Sequence, residues 1–347
     1  MGFEPNQIKQ VKLNHMKILL VIAGIVLGPA CFAQSKPLRV VNTFHVASPG
    51  GWDYPALGPV HNWLYLSHGT QVNVLDRGTG DSVGVIENTT GVHGIAFDTK
   101  DKKGFISNGR LNTVTVFDIN NNTVLAQVPT GQNPDAIFYD AWLNRIITCN
   151  GRSKNLSFID PVANRVTDSV DIGGRPETGL SDGKGKIFVN IEDKNEVVEL
   201  DAKTLKIEAR WSLAPAEGPT GLAMDTKTKR LFVGCDKLLV VLDAVSGKIV
   251  DTLTIGDGCD GVAFDEDRKN IYTSNGEGTI TVIHEDNANK YTVLQNVVTK
   301  RGARTIALDQ KTHLLYLPTA EFEPLGTGQK GRPKMIPGSF QVLVVGN

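Results

Sequence analysis

The chain has little cysteine, no long apolar run, no surplus of positive charge, few aromatics and none of the short motifs that mark cofactor or nucleophile chemistry. Four cysteines in 347 residues are too few to staple a fold of this size. The longest apolar stretch, "ILLVIAGIVLGPA" after Lys17, has 13 residues, short of the roughly 18 to 20 that span a bilayer. No integral membrane segment is therefore expected in the mature chain. Lysine and arginine number 36 against 37 aspartates and glutamates, which argues against an electrostatic grip on phosphates. There is no Walker loop, no Rossmann glycine pattern opening a helix, no CxxC or CxxCH, no GxSxG elbow and no HExxH. What the chain does have is 40% hydrophobic residues and 36 glycines, the composition of a folded globular protein with a large core.

The short apolar run is itself informative. Lys17, the run and the small residues of "CFAQ" follow one another in the order of a secretory leader. Residues 1–33 are expected to be removed after Ala33, with Met1 or Met16 as the start and a lipid on Cys31 as the competing reading. The mature chain (34–347) is then exported, to the periplasm or the outside. Losing Lys9, Lys12, Lys17 and Glu4 leaves 33 basic and 36 acidic residues, a net charge of −3. Three cysteines remain, Cys149, Cys235 and Cys259, so at least one thiol stays outside any intramolecular disulfide.

Periodicity dominates the rest. Strand ends of the form apolar-apolar-Asp recur in "VNVLD", "VTVFD", "LSFID", "VVELD" and "LVVLD" at Asp76, Asp118, Asp160, Asp201 and Asp243. "ITVIH" continues the series at His284, and the steps are 42, 42, 41, 42 and 41 residues. Turn-forming residues follow each aspartate, so its side chain is expected to cap a tight turn. Each period contains four short runs rich in β-branched and aromatic residues, as in "GIAFD", "KGFISN", "NTVTVFD" and "TVLAQVPT". A repeat of this length with four strands predicts an all-β, seven-bladed β-propeller, with blades starting near 50, 92, 132, 175, 219, 259 and 303. The last copy stops at its third strand and the mature chain opens with an orphan one. Strand 38–48 should thus complete blade 7 and remove the open edge. A Pro- and Gly-rich insertion, 318–340, interrupts blade 7 in the manner of a functional lid.

The segments "FISN", "ITCN", "IFVN" and "YTSN", each followed by an "NTV"-like strand and a "VFD"-like end, resemble the YVTN-repeat, YncE-like β-propellers over residues 38–347. That resemblance implies the fold; the chemistry stays open, because relatives of this architecture include lactonases, lyases, redox-cofactor subunits and binding proteins.

Counting five residues back from the Asp that ends each inner strand superposes the blades. His93, Asp135, Glu177, Thr220, Asp260 and Arg304 fall on one position, Asp53 fills it in blade 1 by spacing, and the seven are expected to ring one mouth of the channel. Second-strand ends should reach the same face, adding His68, Asn108, Asn150, Asn190 and Asn275 as ligand-binding candidates, with Cys235 at the same position in blade five. Cys259 should lie nearby, as a disulfide with Cys235 or as one of two buried thiols. A polar, acid-rich mouth suits a small polar ligand or a protein partner, bound by a monomer. The second reading is a lactonase-like hydrolase or lyase. Asp135, Glu177 and Asp260 would then hold a divalent metal (calcium, zinc or manganese) and His93 would move a proton as catalytic base. Single-stranded nucleic acid ranks third, since it normally requires a basic groove.

Overall fold

The computed structural model describes residues 1–2, 36–324 and 333–347; the leader expected over 1–33 lies almost wholly outside the described residues. The compact unit is Pro37–Asn347, and it is a seven-bladed β-propeller. Each blade is a four-stranded antiparallel sheet, and six of the seven are built from consecutive strands. Their inner strands are Trp52–Leu57, Val92–Asp98, Pro134–Asp140, Pro176–Ser181, Leu222–Asp225, Cys259–Asp265 and Ala307–Leu308.

The burial pattern explains why these sequences make blades. Second and third strands are covered by neighbouring blades on both faces, so Lys103–Asn108 and Thr113–Asp118 are apolar or small almost throughout. Fourth strands form the rim and alternate, as Val124–Pro129 does. The core is correspondingly divided. Seven apolar clusters lie between successive blades; one joins Ile147 and Cys149 of blade 3 to Ile187 and Val189 of blade 4. Loss of any one blade would expose two of these faces.

Closure follows the same logic. The strand Arg39–His45 pairs antiparallel with Gln341–Gly346, Thr43 opposite Leu343, and completes blade 7. Phe44 and Val46 enter the cluster that joins blade 7 to Leu64 and Leu66 of blade 1. The side-chain amide of Gln295 clamps both backbone groups of Leu38 from blade 6. The insertion is shorter than the sequence suggested, because Pro318 and Thr319 belong to the strand Leu315–Thr319, opposite Val342 and Gln341. Beyond it, Phe322 and Met335 form an isolated antiparallel bridge.

The repeated aspartates cap turns. Asp76 Oδ1 accepts the backbone N–H groups of Gly78 and Thr79 at 2.7 and 3.0 Å, and Asp243 Oδ1 those of Val245 and Ser246 at 3.0 and 2.8 Å. Among the described residues no helix is long and apolar enough to cross a membrane.

Candidate functional site

A register slip sets the direction of the ring side chains. Each of the inner strands that starts at residue 52, 92, 134, 176 or 259 is irregular in its pairing at its first residues, for example between Val92 and Ile95 and between Cys259 and Gly261. Such a bulge re-aims a side chain that would otherwise enter the blade. The backbone groups it frees are taken up by small hydroxyls. Gly94 N–H donates to Ser107 Oγ at 2.8 Å and Asp53 N–H to Ser67 Oγ at 3.0 Å. Between blades, Thr220 Oγ1 donates to Cys259 O at 2.6 Å and Thr305 Oγ1 to Asp53 O at 2.7 Å.

All seven ring residues line one open basin of about 920 Å³. Five of them are held by each other. His93 Nδ1 is 2.7 Å from Asp53 Oδ2 and 3.4 Å from Asp135 Oδ1. Arg304 Nε donates to Asp260 Oδ2 at 2.5 Å, and its Nη2 lies 3.4 Å from Asp53 Oδ1. Asp53 thus joins the one imidazole and the one guanidinium of the ring. The imidazole is used from one side only, because its Nε2 edge rests on the backbone of Gly109, where a Cβ would come within 2.7 Å of Nε2.

The electrostatics follow from acid outnumbering base in a partly desolvated bowl. Burial pushes the Asp135 carboxyl up to about 7 even though His93 opposes the shift, and Asp53 adds to it. Burial pushes Glu177 up to about 10, and the strongest charges acting on it are all acidic: Asp135, Asp260, Glu192 and Asp53. Asp260 is raised by burial against the pull of Arg304. His93 is raised on balance, the Asp53 hydrogen bond and Asp135 outweighing its desolvation.

The second-strand candidates are placed elsewhere. His68, Asn108, Asn150, Asn190 and Asn275 are fully buried inside the blades, and none lines the basin. Asn108 Nδ2 donates to Thr113 and Thr115 Oγ1, and Asn275 Nδ2 to Thr279 and Thr281 Oγ1, across to the third strand. Asn150 does the same to Asn155 and Ser157, while Asn190 donates to Thr220 O and Gly221 O of the next blade. His68 bonds Ser48 and Gly50 O and stacks on Phe340 with centroids 3.8 Å apart. These residues tie strands and blades together. Cys149, Cys235 and Cys259 are all free and buried, so no disulfide joins Cys235 to Cys259.

The expected metal set is also regrouped. Asp260 is taken by Arg304, and Glu177 stands apart. The atoms that come within 4.8 Å of one another belong to Asp53, His93 and Asp135.

Several site residues were not foreseen. Arg175, paired with Glu192 at 2.5 Å, lines the basin with Glu192, Arg301, Phe322 and Met335. Trp52, whose place beside Asp53 in the sequence suggests a stacking wall or a core residue, lines the basin, with ring centroids 6.1 Å from Phe322 and 5.7 Å from Phe340. Tyr54 of blade 1 packs into the cluster between blades 3 and 4, across the channel. Its hydroxyl is pushed far up by burial and then by Asp260, Asp53, Glu177 and Asp135, which puts it among the ring carboxylates as the floor of the bowl. A signal for it existed: the residue after each other ring position is small, namely Gly94, Ala136, Thr178, Gly221, Gly261 and Thr305.

Comparison with family models and with characterised proteins found no match, so the YVTN-repeat resemblance rests on the repeat residues themselves. Among solved structures the fold is similar to that of hydrazine synthase from Kuenenia stuttgartiensis, with a TM-score of 0.69 and 14% identity over 79% of this chain and 94% of that one. At that identity the likeness shows the propeller fold alone.

Proposed function

We propose that the channel mouth binds a small polar ligand, or the polar tip of a partner, that brings positive charge or hydrogen-bond donors. One observation carries this reading: seven blades converge on a basin of about 920 Å³ in which the strongest charges acting on Glu177 are all acidic. A basin of this volume takes a drug-sized molecule. Its carboxylates would select an amine or polyol over an anion, and the wall of Trp52, Phe322 and Met335 would cover the apolar side of such a ligand. The acid surplus speaks against nucleic acid. Export belongs to the same proposal and rests on the stretch from Lys17 to Ala33; N-terminal sequencing of the protein recovered outside the cytoplasm tests it.

A second reading, a metal-dependent hydrolase or lyase, is favoured by the Asp53–His93–Asp135 group. Two carboxylates and an imidazole fit manganese or zinc better than calcium, and Nδ1 is the ring atom that faces the carboxylates. A metal there would polarise a carbonyl or activate a water. His93 would then be a ligand and not the base, and Glu177, held protonated and facing the same basin, would be the group that gives a proton, as general acid.

The test combines elemental analysis of protein purified without chelators or tag metal with a thermal-shift screen of amines, polyols and divalent cations. Binding lost in Asp135→Asn or Glu177→Gln supports a site at the mouth. Stoichiometric zinc or manganese lost in Asp135→Asn turns it toward the enzyme. A protein that responds to no probe, or responds unchanged in both variants, sinks the site.

A further inference from the structure

At the far end of the inner strand that carries His93, about 16 Å from it at roughly 3.3 Å per residue, Asp98 is fully buried. Its Oδ1 accepts the backbone N–H of Lys100 at 2.9 Å and that of Asp101 at 3.4 Å, closing a turn. Its Oδ2 is enclosed and, among the described residues, has no hydrogen-bond partner. The Oδ2 of Asp101 is enclosed and unpartnered as well.

The repeat supplies the comparison. In blades 5 and 6 the equivalent buried carboxylates are paired by the next blade, from the residue at positive φ four places after that blade's own aspartate. Lys269 Nζ reaches Asp225 Oδ2 at 2.7 Å, and His313 Nδ1 reaches Asp265 Oδ2 at 2.8 Å. The residue in that position facing Asp98 is Asn144, also at positive φ. Its Oδ1 accepts from the Tyr139 hydroxyl at 2.6 Å and brings no charge. Asp140 Oδ2 is unpartnered too, but no second carboxylate stands beside it in its turn. Blade 2 therefore has two enclosed, unpartnered carboxylate oxygens, without the side-chain nitrogen that blades 5 and 6 receive from the next blade.

We propose that Asp98 and Asp101, with Tyr139 and Asn144 beside them, hold a hard divalent cation at the junction of blades 2 and 3, separate from the channel-mouth basin. The donors are all oxygen, which suits calcium. Burial raises the Asp98 carboxyl and the Asp101 side chain adds to the shift; Tyr139 is raised by burial and by Asp98, Asp101 and Asp140. Both shifts are what an uncompensated negative cluster imposes. The competing occupant is a single proton shared by the two carboxyls.

Calcium titration with calorimetric and thermal-unfolding readouts tests this on the wild type, Asp101→Asn, Asn144→Lys and, as the basin control, Asp135→Asn. The expected result is a saturable rise in Tm in the wild type and in Asp135→Asn. Asp101→Asn should weaken calcium binding at least about tenfold through the lost ligand charge. Asn144→Lys, which places in blade 3 the ammonium that blade 6 carries, should raise the Tm of the calcium-free protein and remove the response. A wild type indifferent to calcium, with Asp101→Asn more stable than it, would show the shared proton and overturn the proposal. So would a response abolished only by Asp135→Asn, which puts the ion in the basin, or one that survives Asn144→Lys.

Discussion

His93 of blade 2 and Asp53 of blade 1 are joined Nδ1 to Oδ2 at 2.7 Å, and Asp135 of blade 3 closes on the same nitrogen from the other side at 3.4 Å. Three consecutive blades are therefore coupled through one imidazole at the mouth. Because the folded His93 is raised above its ordinary value, the folded state binds its proton more tightly than the unfolded chain. This contribution is fully present below the unfolded value of about 6.5 and is lost as pH rises through the folded one. His93→Asn should cost about 1–2 kcal/mol at pH 6, the worth of a charge-assisted hydrogen bond, and the difference from wild type should shrink by pH 9. Urea unfolding of both proteins at the two pH values measures it; a pH-independent difference would mean that packing and not charge holds the ring.

Glu177 has the opposite sign. A carboxyl whose folded value stands near 10 against about 4.5 unfolded destabilises the fold increasingly as pH rises between those values. Glu177→Gln keeps the shape and removes the cost, so it should stabilise the protein at pH 8, by about 1–2 kcal/mol for one buried polar group. The gain should vanish near pH 4. Thermal unfolding across that range checks the sign. Residues that weaken the fold but serve binding show this trade-off, and the same variant should lose whatever ligand the basin takes.

How much of this could be read from the sequence depended on whether a residue's role repeats. Six of the seven ring positions were legible because each stands five residues before an aspartate, an offset that survives the bulge where a blade has one, and Asp53 follows from the spacing of the blades. The second-strand Asn residues repeat just as regularly, yet their side chains turn into the blade, since both faces of that strand are covered by neighbours and the amide finds its partners on the third strand or, for Asn190, on the next blade. Repetition alone could not tell an inward residue from one facing the channel. Tyr54, Arg175 and Glu192 are single departures from the repeat, and Phe322 and Met335 come from the insertion. Only Tyr54 is marked by the repeat, as the one bulky residue at a position otherwise small; nothing periodic points to the rest, and the assembled ring brings them together.

The cysteines offer a check on the inter-blade cores. Cys149, Cys235 and Cys259 are free and buried, and burial pushes the Cys235 thiol up to about 12 and Cys259 higher still. Thiolates are the reactive form, so none of the three should react with a disulfide reagent in the native state. All three should react once the chain is unfolded in guanidinium without reductant. A thiol count short by two after unfolding would show that Cys235 and Cys259 are bonded after all.

Tyr54 separates the floor of the bowl from its chemistry. It is the one bulky residue among seven equivalent positions, it spans the channel to pack against blades 3 and 4, and its hydroxyl lies in the field of four carboxyls. Tyr54→Ala removes an aromatic ring from a site that the surrounding strands cannot collapse to fill, so it should cost about 3 kcal/mol, in the range for aromatic-to-alanine changes in a core. Tyr54→Phe keeps the ring and should change stability by less than about 1 kcal/mol, the net worth of a single hydroxyl interaction. Chemical unfolding of the two variants distinguishes packing from polarity. If Tyr54→Phe costs as much as Tyr54→Ala, the hydroxyl anchors the carboxylate ring from below. If only Tyr54→Ala is costly while Tyr54→Phe loses ligand or metal, the phenol belongs to the site and the ring alone belongs to the fold.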